Sequence, residues 1–167
     1  MVRGATRTRT MIIFVASLAV GAASSSARTW YVKVDRSGDA PTIQAAIDSA
    51  SAGDDVLVAS GTYTWTSEGA SGESMIRMKA GIWLHGESGA SETILDAERR
   101  GRVLMCQDVG DQTRVEHLTL RKGDVEPFVD PRGGGICVLG DSYPRIANCV
   151  IANNIVGSAS DAYGGGV

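Results

Sequence analysis

The chain has 167 residues, 43% hydrophobic, 21% charged and only 5% aromatic, with 21 glycines. That length suits one domain and that balance excludes a disordered tail, while abundant glycine favours many tight turns over one large aromatic core. A formal net charge of -3, with no basic cluster, excludes a nucleic-acid binder.

The N-terminus reads as a targeting segment. Arg3, Arg7 and Arg9 precede the apolar run Met11–Ala23, small residues follow at Ser24, Ser25, Ser26 and Ala27, and no acid occurs before Asp35. Positive charge, a short apolar core and then small side chains is the order of a secretory signal peptide, with cleavage expected after Ala27. The run falls short of the ~20 apolar residues that a spanning helix needs. Residues 1–27 are therefore the expected signal peptide and 28–167 the exported domain. The expected location is secreted, periplasmic or cell-surface, with no membrane span after cleavage.

Trp30 to Val34 alternates apolar and polar residues and predicts a short strand, broken by Gly38 and Pro41. Ile43, Ala46, Ile47 and Ala50 then recur at the spacing of one helix face, with Pro41 suited to a first turn and Gly53 just past the end. Residues 41–51 are thus an expected amphipathic helix. From Val56 the period changes to two, and Gly61 turns the chain into Tyr63.

From about Met75 the chain echoes itself. An offset of 21 aligns Ile82–His85 with Val103–Cys106 and Ile94–Asp96 with Val115–His117. An offset of 31 aligns His117–Leu120 with Asn148–Ile151, Cys106 with Cys137, and Gly133–Ile136 with Gly164–Val167. The segment Asp124–Arg132, with two prolines and three acids, reads as an outgrown, exposed loop. Each unit holds short strands and no helical periodicity, and one unit cannot bury its own apolar stripe, so neighbours must stack.

Such units predict an all-β coil, a parallel β-solenoid whose inward side chains pile up about 4.8 Å apart. The offsets place Ile82, Leu84, Val103 and Met105 on one face, and Ile94, Val115 and Ile146 on a second. Leu118 with Cys149, and Leu120 with Ile151, fall on a third, while Asp96, His117 and Asn148 share a bend position where polar groups serve the unpaired backbone. The helix then has a task, because its apolar face can cover the open first coil.

These residues carry a resemblance. The runs Pro41–Asp48, Gly53–Val58, Gly61–Tyr63 and Gly81–Glu87 resemble the N-terminal part of right-handed parallel β-helix proteins of the pectin-lyase-like superfamily. Gly133–Ile136 and Gly164–Val167, with Ile151–Asn154 between them, are similar to the GGxI and FxxN repeats of polymorphic outer-membrane proteins, with Ile151 standing where Phe is expected. The resemblance implies a right-handed parallel β-helix with a short N-terminal capping helix. It specifies fold better than activity, since that superfamily hosts lyases, hydrolases, esterases, adhesins and inert scaffolds.

No catalytic, cofactor-binding or metal-binding residue is assigned from the sequence. Pectate lyases of this fold use clustered Asp for calcium with an Arg or Lys base. Asp108, Asp111, Asp124 and Asp130 with Arg121 and Lys122 supply those residue types, but no motif fixes them. His85, Cys106 and Cys137 share a column by the offsets, without the close Cys-x-x-Cys spacing of a zinc module. In an exported protein Cys106 and Cys137 on adjoining coils are also candidates for a disulfide, leaving Cys149 unpaired. His117 reads as a bend residue. Neither a Gly-x-Ser-x-Gly elbow nor the Val-Asp-Phe-Ile-Phe run of the pectinesterases occurs, and Gly133–Gly135 lacks the Lys-Ser/Thr of a phosphate loop.

Val167 follows directly on the second glycine triplet with no polar cap, so the chain is expected to be the front portion of a longer protein. The expected role is a scaffold that binds polysaccharide or a cell-surface glycan without catalysis in these residues. The alternatives are a polysaccharide lyase or glycoside hydrolase whose catalytic residues lie beyond this chain, and a cell-surface adhesin or autotransporter-type passenger.

Overall fold

The computed structural model describes residues 26–126 and 131–157. The expected signal peptide therefore lies almost wholly outside the described residues, as do Asp130 and the second glycine triplet. The described chain is a parallel β-solenoid of about three turns, built from three all-parallel sheets and two short helices. No helix among the described residues is long and apolar enough to cross a membrane.

Sheet A holds β1 (Thr29–Val32), β2 (Asp55–Val58), β5 (Trp83–Gly86), β8 (Arg114–Glu116) and β11 (Arg145–Ala147) in that spatial order. Sheet B runs β3 (Gly61–Thr64), β6 (Thr93–Asp96), β9 (Thr119–Arg121) and β12 (Val150–Ala152). Sheet C runs β4 (Ser74–Arg77), β7 (Arg102–Gln107) and β10 (Ile136–Leu139). Each turn visits A, B and C once, so like positions on successive turns become hydrogen-bonded neighbours.

Register builds the core as three columns. On sheet A, Trp30, Val56, Leu84, Val115 and Ile146 stack in line. On sheet B the column is Tyr63, Leu95, Leu120 and Ile151, and on sheet C it is Ile76, Leu104 and Ile136. Leu84, Leu95, Leu104, Leu120, Ile76 and Ile136 are fully buried, each contributing about 1.5–3 kcal/mol.

This register confirms the offset of 31 for the last turns, in Val115 with Ile146 and Leu120 with Ile151. It corrects the offset of 21. Ile82 and Leu84 belong with Val115 on the sheet A side, whereas Val103 and Met105 lie on sheet C. Ile94 lies on sheet B between Thr62 and Thr119, one residue off the inward column. Met105 falls outside the core cluster that holds Leu104 and Cys106. Short alternating triplets look alike on every sheet, so a partial-turn alignment matched strands from different faces.

In the later turns the chain rounds its corners through residues with positive φ. His117 (φ 59) and Asn148 (φ 52) follow sheet A, Lys122 (φ 54) and Asn153 (φ 57) follow sheet B, and Asp108 (φ 53) and Gly140 (φ 68) follow sheet C. The bend expected at His117 and Asn148 is thus present. Asp96 is not its equivalent, because it ends β6 and pairs with Arg121. The earlier turn places Gly86 beside His117, where a Cβ would clash with the His117 carbonyl oxygen.

Helix α1 spans Ile43–Ser49, shorter than 41–51, because Thr42 is the N-cap and accepts a hydrogen bond from the Ala45 N–H at 3.1 Å. Its buried Ile43, Ala46 and Ile47 are the predicted apolar face, and it packs against β1, β2 and β4. A second helix, α2 (Trp65–Glu68), carries a reciprocal Thr64/Ser67 capping box, ends at Gly69 (φ 64) and packs on β3. The strands β3 and β4 are the edges of sheets B and C, so the two helices shield edges that would otherwise pair with another chain.

The excursion between β9 and β10 departs from its expected exposure. Val125 is fully buried and Pro131 is buried, while Glu126 and Arg132 reach solvent. It is tied to the coil by the Arg102 side chain, 2% exposed, whose Nε donates to the Arg132 carbonyl at 2.9 Å and whose Nη1 pairs with Glu73 at 2.9 Å.

Candidate functional site

The inward columns force the intervening residues of sheet A outward. Asp55 and Leu57 on β2, Trp83 and His85 on β5, and Arg114 and Glu116 on β8 form successive rows of one outer face. Asp55, Trp83 and Arg114 are in register, so acid, aromatic and base occupy consecutive rungs about 4.8 Å apart. The next residue in line is Arg145.

The Trp83 and His85 rings lean together as a stack, with centroids 4.0 Å apart and planes 14° from parallel. The Arg114 guanidinium lies 5.8 Å from the Trp83 ring centroid, within cation–π reach. Burial holds the His85 imidazole below its ordinary pKa, against the pull of Asp55 and Glu116, so it is neutral at pH 7. Trp83 Nε1 and His85 Nε2 are buried and find no hydrogen-bond partner among the described residues.

Beside this stack lies a cleft of about 440 Å³, lined by Gly53, Asp54, Asp55, Trp83, Gln112 and Arg114 among others. Its rear wall is fixed by Asp54, which accepts hydrogen bonds from the Arg28 and Ser51 N–H groups at 2.8 and 2.9 Å and from Trp30 Nε1 at 3.3 Å. Those bonds hold the Asp54 carboxyl below its ordinary pKa. Gly81 (φ 77) keeps the mouth open, since a Cβ there would come 2.8 Å from the Ala52 Cβ. The result is a polar cleft with one aromatic wall and charges of both signs, suited to binding a polyhydroxylated ligand.

The residues singled out from the sequence are scattered over the coil. Asp108 turns the corner after sheet C and Asp111 follows it, whereas Arg121, Lys122 and Asp124 lie at the corner after sheet B. Arg121 Nε and Lys122 Nζ both bind Asp96 Oδ2 at 2.8 Å. Burial works to raise the Asp96 carboxyl, but hydrogen bonds from Lys122, the Glu98 N–H and Arg121 outweigh it and hold the group below its ordinary pKa. Asp124 Oδ1 accepts from the Glu126 N–H at 3.0 Å, closing a local turn. Among the described residues no three His, Cys, Asp or Glu side chains gather to hold a metal ion.

His85 is not in a column with the cysteines, because it faces out of sheet A while Cys106 and Cys137 belong to sheet C. The two cysteines miss each other by one residue: Cys106 pairs with Val138, and Cys137 with Met105. Both are buried and Cys149 is half-buried, and among the described residues no disulfide joins them. Burial pushes the Cys106 thiol up to about 12, with Cys137 adding to it. Cys149 donates to the Ala147 carbonyl at 3.3 Å.

Asp55, Trp83 and Arg114 were missed by sequence reasoning because they lie on three different turns. Their signal was indirect: each is the outward neighbour of a column residue, namely Val56, Leu84 and Val115. No family model, no curated protein and no solved structure matches this chain, so the reading of its site rests on these residues alone.

Proposed function

We propose that this chain is an exported solenoid scaffold that binds an extended glycan along the outer face of sheet A, with no catalysis in the described residues. One observation carries the reading: Asp55, Trp83 and Arg114 stand in register beside an open cleft, with Trp83 braced against His85. Sugar rings offer C–H faces to an aromatic ring and hydroxyls to charged side chains, and three rungs cover about 10 Å, a length comparable to two sugar units. A repeating polymer also suits a surface that repeats.

The test is retention on immobilised glycans, with Trp83→Ala and Arg114→Ala as comparisons. Binding that falls at least tenfold in both folded variants supports the reading, and a panel in which no glycan is retained overturns it. Product release from a retained polysaccharide, seen as unsaturated-uronate absorbance or new reducing ends, would instead favour a lyase or hydrolase. Export is tested separately by N-terminal sequencing of the product outside the cell, with Arg28 as the expected first residue.

A further inference from the structure

A second cleft, of about 460 Å³, opens between α1, the turn that ends α2, and β4. Its walls carry both signs of charge: Asp48 and Glu68 supply carboxylates, and Arg77 supplies a guanidinium. None of the three forms an ion pair among the described residues. We propose that this cleft binds a small zwitterion of the α-amino acid class, its ammonium between Glu68 and Asp48 and its carboxylate on Arg77.

The two carboxylates are held in place. Glu68 Oε2 accepts the Ile43 N–H at 2.7 Å, which fixes the carboxylate against the start of α1. That contact already serves the end of the seven-residue helix, leaving no call there for an anion. Gln44 positions the Asp48 carboxylate and anchors the Arg77 main chain: its Nε2 donates to Asp48 Oδ1 at 2.8 Å, and its Oε1 accepts the backbone N–H of Arg77 at 2.7 Å. Gln44 Nε2 also reaches the Arg77 carbonyl at 3.3 Å, so α1 and the end of β4 are stitched together at the cleft.

Two further observations bear on this cleft. Ser74 is 4% exposed, lines the same cleft, and its Oγ has no hydrogen-bond partner. Buried hydroxyls are nearly always satisfied, so this one is an unmet polar group in the cleft wall. Burial also pushes the Glu68 carboxyl up to about 6, only partly offset by the Ile43 and Gln44 N–H groups and by Arg36. A carboxylate that is costly to ionise when alone gains from an incoming ammonium group. The volume falls within the range of small-molecule sites, and the lining holds no aromatic ring, which sets this cleft apart from the sheet A ledge.

The experiment uses the whole chain, with L-alanine as the zwitterion, ethylamine as cation only and propionate as anion only. Amide NMR shifts are followed up to about 20 mM, above a millimolar Kd. L-Alanine should move the amides of Ile43, Gln44 and Arg77 in a saturable way, while ethylamine and propionate bind at least tenfold more weakly. Glu68→Gln and Arg77→Met should each weaken L-alanine at least tenfold, the scale of one lost charge-assisted hydrogen bond. Asp48→Asn, at an exposed helix position, gives a variant expected to fold should Glu68→Gln disturb α1, and it should also weaken binding. No saturable shift, an equal response to all three probes, or unchanged affinity in the folded variants overturns the proposal.

Discussion

Arg114 and Arg145 stand side by side, in register on β8 and β11, with both side chains on the outer face of sheet A. Neither forms an ion pair with an acid among the described residues. Like charges directly opposite on neighbouring strands repel. Arg145→Gln should therefore raise the melting temperature slightly at low salt. The gain should vanish near 1 M salt, where the screening length falls to about 3 Å. A gain that persists at high salt would mean that the two guanidiniums do not feel each other.

The columns make a sharp contrast between adjacent residues. Leu95 points inward between Tyr63 and Leu120, whereas Ile94 is one position out of line. Leu95→Ala should cost about 2–5 kcal/mol in denaturant unfolding. Ile94→Ala should cost clearly less. Equal losses would contradict the register of sheet B.

Glu68 gives stability a definite pH slope. Its carboxyl is raised from an ordinary 4.5 to about 6 in the folded chain, so folding favours the protonated form. The resulting stabilisation is fully present below 4.5 and is lost as pH rises through about 6. Glu68→Gln should flatten this slope between pH 4.5 and 7, and raise stability at pH 7 by up to about 2 kcal/mol. Thermal melts across that window read both effects. The carboxyls of Asp54 and Asp96 shift the opposite way, so their stabilisation is present at neutral pH and is lost only on further acidification. A variant that gains stability while losing a ligand would mark Glu68 as a group kept for binding.

At the corners, backbone conformation decides what is tolerated. His117 holds φ 59, in the left-handed region, at the corner after sheet A. His117→Gly should leave the unfolding midpoint almost unchanged. His117→Val should cost about 1–2 kcal/mol, because a β-branched residue resists the left-handed region. Near-equal midpoints for Gly and Val would place the corner elsewhere.

Some of this was legible in the order of residues and some was not. The apolar face of α1 was plain, since Ile43, Ala46, Ile47 and Ala50 repeat at helical spacing and all are buried. The last turns were equally plain, because β8 to β11 and β9 to β12 keep one constant offset. The earlier turns vary in length: Val56 meets Leu84 after 28 residues and Leu95 meets Leu120 after 25, whereas Leu84 meets Val115 after 31. With no fixed period to anchor them, strands of sheet C were matched to strands of sheet A. Helix α2 is only four residues long, too short for any periodicity, although its Thr64/Ser67 box and Gly69 are local signals. The two clefts were illegible for a different reason. Their lining residues are individually ordinary surface side chains, and only register and the docking of α1 bring them together.

The passage from β9 to β10 has one more implication. From Arg121 to Ile136 the chain wanders far longer than the equivalent step from Asp96 to Arg102 one turn earlier, yet Leu104 still meets Ile136. A vertex that absorbs extra sequence without disturbing its neighbours is a natural docking port for grafts. New loops spliced there could vary in length and chemistry while the winding on either side carries on unchanged.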